Sequence, residues 1–170
     1  MSAFSNDSVP RVAAEHQGGV GLYSPAERAR RDATRWTLVQ GILAPVQFVV
    51  FLVSLGLVIR YLASGEGYML ATVSIVAKTG ILYLIMITGA IWEKVVFGQY
   101  LFAPAFFWED VMSFGVIALH SLYIFALFSG GWSPQTLMWI ALAAYAAYIV
   151  NAAQFVWKLR QARMGEAVLS

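Results

Sequence analysis

Residues 36–59 read Trp-Thr-Leu-Val-Gln-Gly-Ile-Leu-Ala-Pro-Val-Gln-Phe-Val-Val-Phe-Leu-Val-Ser-Leu-Gly-Leu-Val-Ile, a run without Asp, Glu, Lys, Arg or His, bracketed by Arg35 and Arg60. A helix that crosses the hydrocarbon of a bilayer needs about 20 mostly apolar residues. This run is long enough, and it predicts a spanning helix over 36–60. The pattern recurs three times. A second span is expected over 68–92, interrupted by Lys78 and closed by Glu93-Lys94, and a third over 110–128, with His120 inside it. From Ser121 to Trp157 there is again no charge, too long a run for one helix. Ser129-Gly130-Gly131-Trp132-Ser133-Pro134 breaks it, because glycine pairs and Ser-Pro mark turns, and the fourth span falls at 135–157.

The composition of the whole chain agrees. Of its 170 residues 60% are hydrophobic and 12% charged, against roughly 45–50% and 25% in soluble domains. Too few charges remain to coat a water-facing surface. A net charge of +2 is too small for a phosphate-binding stripe, so no nucleic-acid partner is expected. Without cysteine there is no disulfide framework, thiolate nucleophile or iron–sulfur cluster. The fold class expected is an all-α integral membrane protein, a four-transmembrane-helix bundle in contact with the lipid bilayer.

Basic residues orient it. Arg11, Arg28, Arg30, Arg31, Arg35, Lys94, Lys158, Arg160 and Arg163 share one side, and Arg60 stands alone on the other. Both termini are therefore expected in the cytoplasm. Trp36, Trp92, Trp108 and Trp157 fall at the four cytoplasmic span ends, where tryptophan is enriched. Residues 1–21 are polar and aperiodic, the composition of a disordered tail, and 164–170 form a second tail around the membrane domain at 22–163. Ser24-Pro25-Ala26-Glu27 is a helix start, with Ser at the N-cap and Glu three residues on. It opens an amphipathic, basic surface helix that anchors on anionic headgroups. Residues 95–108 are aromatic, uncharged and too short to cross, with Gly98 and Pro104 against one continuous helix, so an interfacial or re-entrant loop is expected.

Polar groups within spans are costly and need a partner or a purpose. Gln40, Gln47 and Ser54 recur every seven residues on one helical face; Glu109, Ser113 and His120 share another; Tyr148, Asn151, Gln154 and Lys158 a third; Thr88 and Glu93 belong to the second span. Such groups also glue helices together through hydrogen bonds. Most lie from the midplane to the cytoplasmic end, and together they predict a polar pocket open on that side. His120 can bind a metallotetrapyrrole, act as acid or base, or bond to a neighbouring helix. Lys78 is expected to snorkel or to pair with a carboxylate such as Glu66. Glu93, Glu109 and Asp110 are the acids at the pocket mouth, where they can cap helices, pair with Lys94, or donate a proton.

Two segments resemble a known family. Tyr23-Ser24-Pro25-Ala26-Glu27-Arg28-Ala29-Arg30-Arg31-Asp32-Ala33-Thr34-Arg35-Trp36-Thr37-Leu38-Val39-Gln40-Gly41, and the run from Thr88-Gly89-Ala90-Ile91-Trp92-Glu93-Lys94 through Phe97-Gly98-Gln99-Tyr100 to Phe107-Trp108-Glu109-Asp110, are similar to the 3-vinyl bacteriochlorophyllide hydratases of phototrophic bacteria. The resemblance covers roughly residues 22–163. It implies a hydro-lyase that adds water across the 3-vinyl group of a chlorophyllide-type ring in bacteriochlorophyll synthesis, in a bacterial inner or intracytoplasmic membrane. Protonating the terminal vinyl carbon leaves a cation delocalised into the macrocycle, which water then attacks. That chemistry needs an acid, a base and a ring-shaped pocket; it needs no cofactor, and magnesium enters only within the substrate. On this reading Glu109 or Glu93 is the proton donor, and the other of the two, or Asp110, orients water. His120 coordinates the substrate magnesium or positions the ring, and Lys94 or Arg35 pairs with its free propionate. Gln40, Gln47 and Asn151 line the pocket, and the loop Phe97–Trp108 stacks on the macrocycle. Other enzymes of the same synthesis, or a second copy of the chain, are the further partners implied. The alternatives are a non-enzymatic pigment carrier or assembly factor with the same pocket, and a small proton-coupled transporter using Glu93 or Lys78.

Overall fold

A computed structural model of the chain describes residues 22–168; the N-terminal tail expected over 1–21 lies outside them. The described residues form five helices: α1 (Pro25–Ala33), α2 (Arg35–Ser64), α3 (Tyr68–Phe97), α4 (Phe107–Ser129) and α5 (Pro134–Val168). α2, α3, α4 and α5 are each long and apolar enough to cross a membrane. Their outward faces carry large apolar side chains, Phe125, Phe128 and Trp139 among them, more than half exposed. In a bilayer those faces meet lipid.

The helix starts follow local chemistry. Ser24 accepts the Glu27 N–H at 3.3 Å while the Glu27 carboxylate accepts the Ser24 N–H at 2.8 Å, the reciprocal cap expected from the sequence. α1 is then pinned to α3, because Arg30 Nε donates to the Val96 carbonyl at 2.7 Å. The α2–α3 turn is built on Gly65 and Gly67, with φ of 74° and 85°, a left-handed backbone that costs glycine nothing. α2 runs unbroken through Pro45.

The helices pair as two hairpins, α2 on α3 and α4 on α5, with looser seams between the pairs. Toward the turns these seams close over Phe51, Val58, Ile75, Tyr123, Met138 and Tyr145. Ser54 bridges Ser74 and Tyr145 at 2.7 and 2.6 Å, which ties α2, α3 and α5 together. Toward the described termini the seams open into a cavity. A second apolar cluster there joins Tyr23, Val96 and Phe106, with Trp92 and Phe155 against it.

Several expectations change. Helix α3 continues to Phe97, so the aromatic loop is 98–106 rather than 95–108, and α5 continues to Val168, well past residue 157. Trp92 turns toward the protein: its Nε1 donates to Thr37 Oγ1 at 2.9 Å, and its ring packs edge-on against Phe97 and Phe106. Lys78 neither snorkels nor reaches exposed Glu66. It is fully buried, its Nζ lying 3.9 Å from the Tyr148 ring centroid and 5.8 Å from that of Tyr145. Two aromatic faces there take the place of a counter-ion.

Candidate functional site

The cavity between the hairpins has a volume of about 850 Å³, in the upper range of small-molecule sites (~300–1,000 Å³). Along α5 its wall runs from Tyr148 to Arg163, fifteen residues or about 22 Å of helix. Along α2 and α3 it runs from Thr37 to Phe48 and from Leu82 to Glu93. Small residues face it: Gly41 and Ala44 from α2, Gly89 and Ala90 from α3, Ala152 from α5. A side chain at Gly89 would point toward Gln40, whose Oε1 lies 3.8 Å from the Cβ position. The wall is mostly apolar, with a few polar groups converging on it.

Two of those groups are acids. Glu93 closes the last turn of α3 and Asp110 opens the first turn of α4, both line the cavity, and they are 5% and 4% exposed. Both hold the middle of the same loop: Asp110 Oδ2 accepts the Phe102 N–H at 2.7 Å, and Glu93 Oε2 accepts the N–H of the next residue, Ala103, at 3.3 Å. Phe102 has φ of 59°, a left-handed conformation costly for a bulky residue, and the Asp110 bond stabilises it. The two acceptor oxygens thus sit on adjacent N–H groups, which sets the carboxyl groups side by side. Two carboxylates that close and that buried repel each other, which favours one proton on the pair. Loop and helix ends thus bring two carboxyl groups to one point of an apolar wall.

Aromatic rings surround this point. Phe106 stacks on Phe155 at 6.0 Å and meets Trp92 edge-on at 5.7 Å. Tyr23 stacks on Phe97 at 5.8 Å, with the Arg31 guanidinium 4.7 Å from its ring centroid. At the mouth, Arg31 from α1 and Arg163 from α5 both reach the cavity wall.

The structure sorts the residues singled out by sequence. Glu93, Asp110, Gln40, Gln47 and Asn151 all line the cavity. Gln40 Nε2 donates to Thr88 Oγ1 at 2.8 Å, and Asn151 Nδ2 to Ser113 Oγ at 2.9 Å. The other four stand outside the wall. Glu109, one position from Asp110, is turned about 100° round α4 and forms an ion pair with Lys158 at 2.6 Å. His120 is fully buried, its Nδ1–H donating to the Val116 carbonyl at 2.8 Å and its ring packed against Tyr145. Lys94 donates to the Gly98 carbonyl at 2.7 Å, capping its own helix, and Arg35 is exposed. Within the aromatic loop only Leu101 and Phe106 line the cavity, while Tyr100 and Trp108 point outward and are 61% and 69% exposed. Sequence reasoning missed Tyr23, Arg31 and the small-residue wall. The only signal for the last was glycine or alanine on helix faces shared with glutamine or asparagine. Among the described residues no three His, Asp or Glu side chains converge as a metal site.

Residues 23–161 match the family model of 2-vinyl bacteriochlorophyllide hydratase. The chain belongs to this family. The 2-vinyl bacteriochlorophyllide hydratase of Cereibacter sphaeroides is 72% identical over 144 residues, which cover 84% of this chain and 89% of that protein. The protein of the same name from Rhodobacter capsulatus is 69% identical over 147 residues, 86% and 85% of the two chains. No solved structure matches. As a member of a hydratase family the chain is a hydro-lyase of bacteriochlorophyll synthesis. The family match opens at Tyr23 and takes in α1 to α4 and most of α5.

Proposed function

We propose that this hydratase protonates the vinyl group of chlorophyllide a or 3-vinyl bacteriochlorophyllide a with one member of the Glu93–Asp110 pair and draws the proton from the attacking water with the other. The substrate vinyl is numbered 2 in the older tetrapyrrole scheme and 3 in the current one. The observation that carries the proposal is the pair of buried carboxyl groups on the cavity wall, held side by side by the adjacent N–H groups of Phe102 and Ala103. The protonated carboxyl gives its hydrogen to the terminal vinyl carbon, and a new C–H bond forms as the π bond breaks. The positive charge left on the inner carbon spreads into the macrocycle. Water then bonds to that carbon while the carboxylate takes its proton. The product is the 1-hydroxyethyl group, and the pair again holds one proton, so the site is reset without an outside donor or a resident cofactor.

The remaining assignments follow the wall. The slot between Gly41, Ala44, Gly89 and Ala152 takes the flat ring, against Phe106 and Phe155. Arg31 and Arg163, in place of Lys94 and Arg35, receive the free propionate at the mouth. Nine basic residues on one side support a bacterial inner or intracytoplasmic membrane with both termini cytoplasmic.

Membranes of a non-photosynthetic host expressing the chain, incubated anaerobically in the dark with chlorophyllide a, test the reaction by chromatography with mass detection. The expected result is pigment heavier by one water, in catalytic excess over the protein. Pigment that co-purifies unchanged would point to a carrier and overturn the proposal.

A further inference from the structure

We propose that the pigment enters and leaves the cavity sideways, from the lipid, through a slot between α2 and α5; the proposal rests on the hydratase reading of that cavity. Six apolar wall residues are also exposed on the outside of the bundle: Gly41, Ala44, Pro45 and Phe48 from α2, and Val156 and Leu159 from α5. Phe48, Val156 and Leu159 are 48%, 66% and 41% exposed. Among the described residues no wall position on α3 or α4 is exposed. A residue that both lines a cavity and faces outward marks where the wall is open, and here it is open on one side.

The seams between helices show the same asymmetry. Beside the cavity, α2 is tied to α3 by Gln40–Thr88 and Thr37–Trp92, at 2.8 and 2.9 Å. α4 is tied to α5 by Ser113–Asn151 and Glu109–Lys158, at 2.9 and 2.6 Å, and α3 to α4 by Tyr83–Ser121 at 2.7 Å. Such bonds, with close packing, hold helices together where lipid is the solvent. Among the described residues the side-chain bond between α2 and α5 is Ser54–Tyr145, in the closed half, and none joins them beside the cavity.

The slot lies at hydrocarbon depth. Gly41 stands about 9 Å, and Phe48 about 20 Å, along α2 from its start at Arg35. Both belong to the charge-free run 36–59, which crosses a hydrocarbon layer ~30 Å thick. On α5, Leu159 and Val156 lead inward from Arg163, an exposed cation on the same wall. A guanidinium above apolar flanks suits an amphiphile that keeps its carboxylate among the headgroups and its ring in the hydrocarbon. The end of the bundle is partly covered instead: α1 is pinned to α3 through Arg30 and the Val96 carbonyl, and Tyr23 and Phe106 are buried there.

The test closes the slot with a reversible cross-link. The chain has no cysteine, so Ala44→Cys with Val156→Cys can be joined by a bismaleimide whose linker holds a cleavable disulfide. That reagent does not need the close approach of a direct disulfide. The full chain is placed in nanodiscs of phosphatidylcholine and phosphatidylglycerol, and chlorophyllide a is supplied from vesicles of the same lipids. Cross-linking the empty protein should slow pigment uptake, and cross-linking the loaded protein should slow release to pigment-free vesicles, each by about tenfold or more. A closed route delays both directions and leaves affinity unchanged, and cutting the linker should restore both rates. A second pair about one turn nearer the mouth, Gly41→Cys with Leu159→Cys, should behave alike. Tyr83→Cys with Ser121→Cys, linked across the α3–α4 seam, should leave both rates as they are. Rates unchanged in both slot pairs overturn the portal, as does an equal effect of the α3–α4 link. A link that weakens binding without trapping loaded pigment has only filled the cavity, and overturns it too. Hydration of chlorophyllide a by the wild type, measured alongside, separates the two readings. Turnover without trapping sinks the portal alone, and absence of both turnover and binding sinks the hydratase reading and the portal with it.

Discussion

Between the glycine turns and Phe51 the spanning helices interlock. The Phe51 ring meets Tyr145 edge-on at 5.4 Å and tilts onto Tyr148 at 4.9 Å, and Met138, Ile75 and Tyr123 fill what remains. From Phe51 to the described termini the same four helices enclose about 850 Å³. Helix type does not separate the halves; side-chain size at the seam does. In a bilayer, lipid is as apolar as leucine, so helices associate through close packing and hydrogen bonds rather than through loss of water. Large rings and a shared hydroxyl network close one half. Gly41, Ala44, Gly89, Ala90 and Ala152 cannot fill the other, and the 98–106 loop is held across its end by two acids that also face inward. The closed half serves as the fixed frame from which the hollow half opens.

That contrast can be broken where the effect should be largest. Glu93→Gln or Asp110→Asn should lower the hydration rate by about 10²–10⁴-fold, the usual contribution of a positioned acid or base, with chlorophyllide binding within about threefold of wild type. Glu109→Gln, one residue away but paired with Lys158, should stay within about tenfold in the same assay. A reversal of that order would move the acid to the buried seam between α4 and α5.

Filling the slot is the next strongest intervention. Gly89→Leu places a branched side chain in the cavity and removes a glycine that costs a helix interior ~1 kcal/mol. Pigment affinity should fall by more than tenfold while Tm in detergent holds or rises. A variant that binds pigment normally would show that the ring lies elsewhere.

Smaller effects belong to the closed half. Ser54→Ala removes both hydroxyl contacts and should cost about 1 kcal/mol of stability, by denaturant titration in mixed micelles, with pigment affinity unchanged. Lys78→Met should change stability least, by under about 1 kcal/mol, and upward. The desolvation of a buried ammonium, about 2.5–3.5 kcal/mol on insertion scales, slightly exceeds the ~2 kcal/mol that two aromatic faces return. A marked loss of stability would mean that Lys78 makes a stronger interaction than these rings provide.

The spans, the turn at residues 129–134 and the Ser24–Glu27 cap were legible because each depends on residues near in sequence. The site was legible in outline only. Glu93 and Asp110 stood out as acids at span ends, and Gln40, Gln47 and Asn151 as polar groups on helical faces. Glu109 and Asp110 could not be told apart, since adjacent residues on a helix differ only in the direction they face, and a neighbouring helix decides which direction is inside. His120 shares a helical face with Glu109 and Ser113, yet Ser113 lines the cavity and the other two do not. Lys78 looked like a snorkelling residue because no nearby position announced Tyr145 and Tyr148, nearly seventy residues on.

By itself the sequence determined that four helices are long and apolar enough to span a membrane, where each begins within a few residues, and which polar side chains lie along them, because hydropathy and capping are local properties of the chain. The tertiary structure alone decided that Glu93 and Asp110 meet across a loop, that Glu109 turns to Lys158, and that half of the bundle stays open. Those outcomes depend on which faces of separate helices come into contact and how large the side chains there are, and no short stretch of sequence contains either.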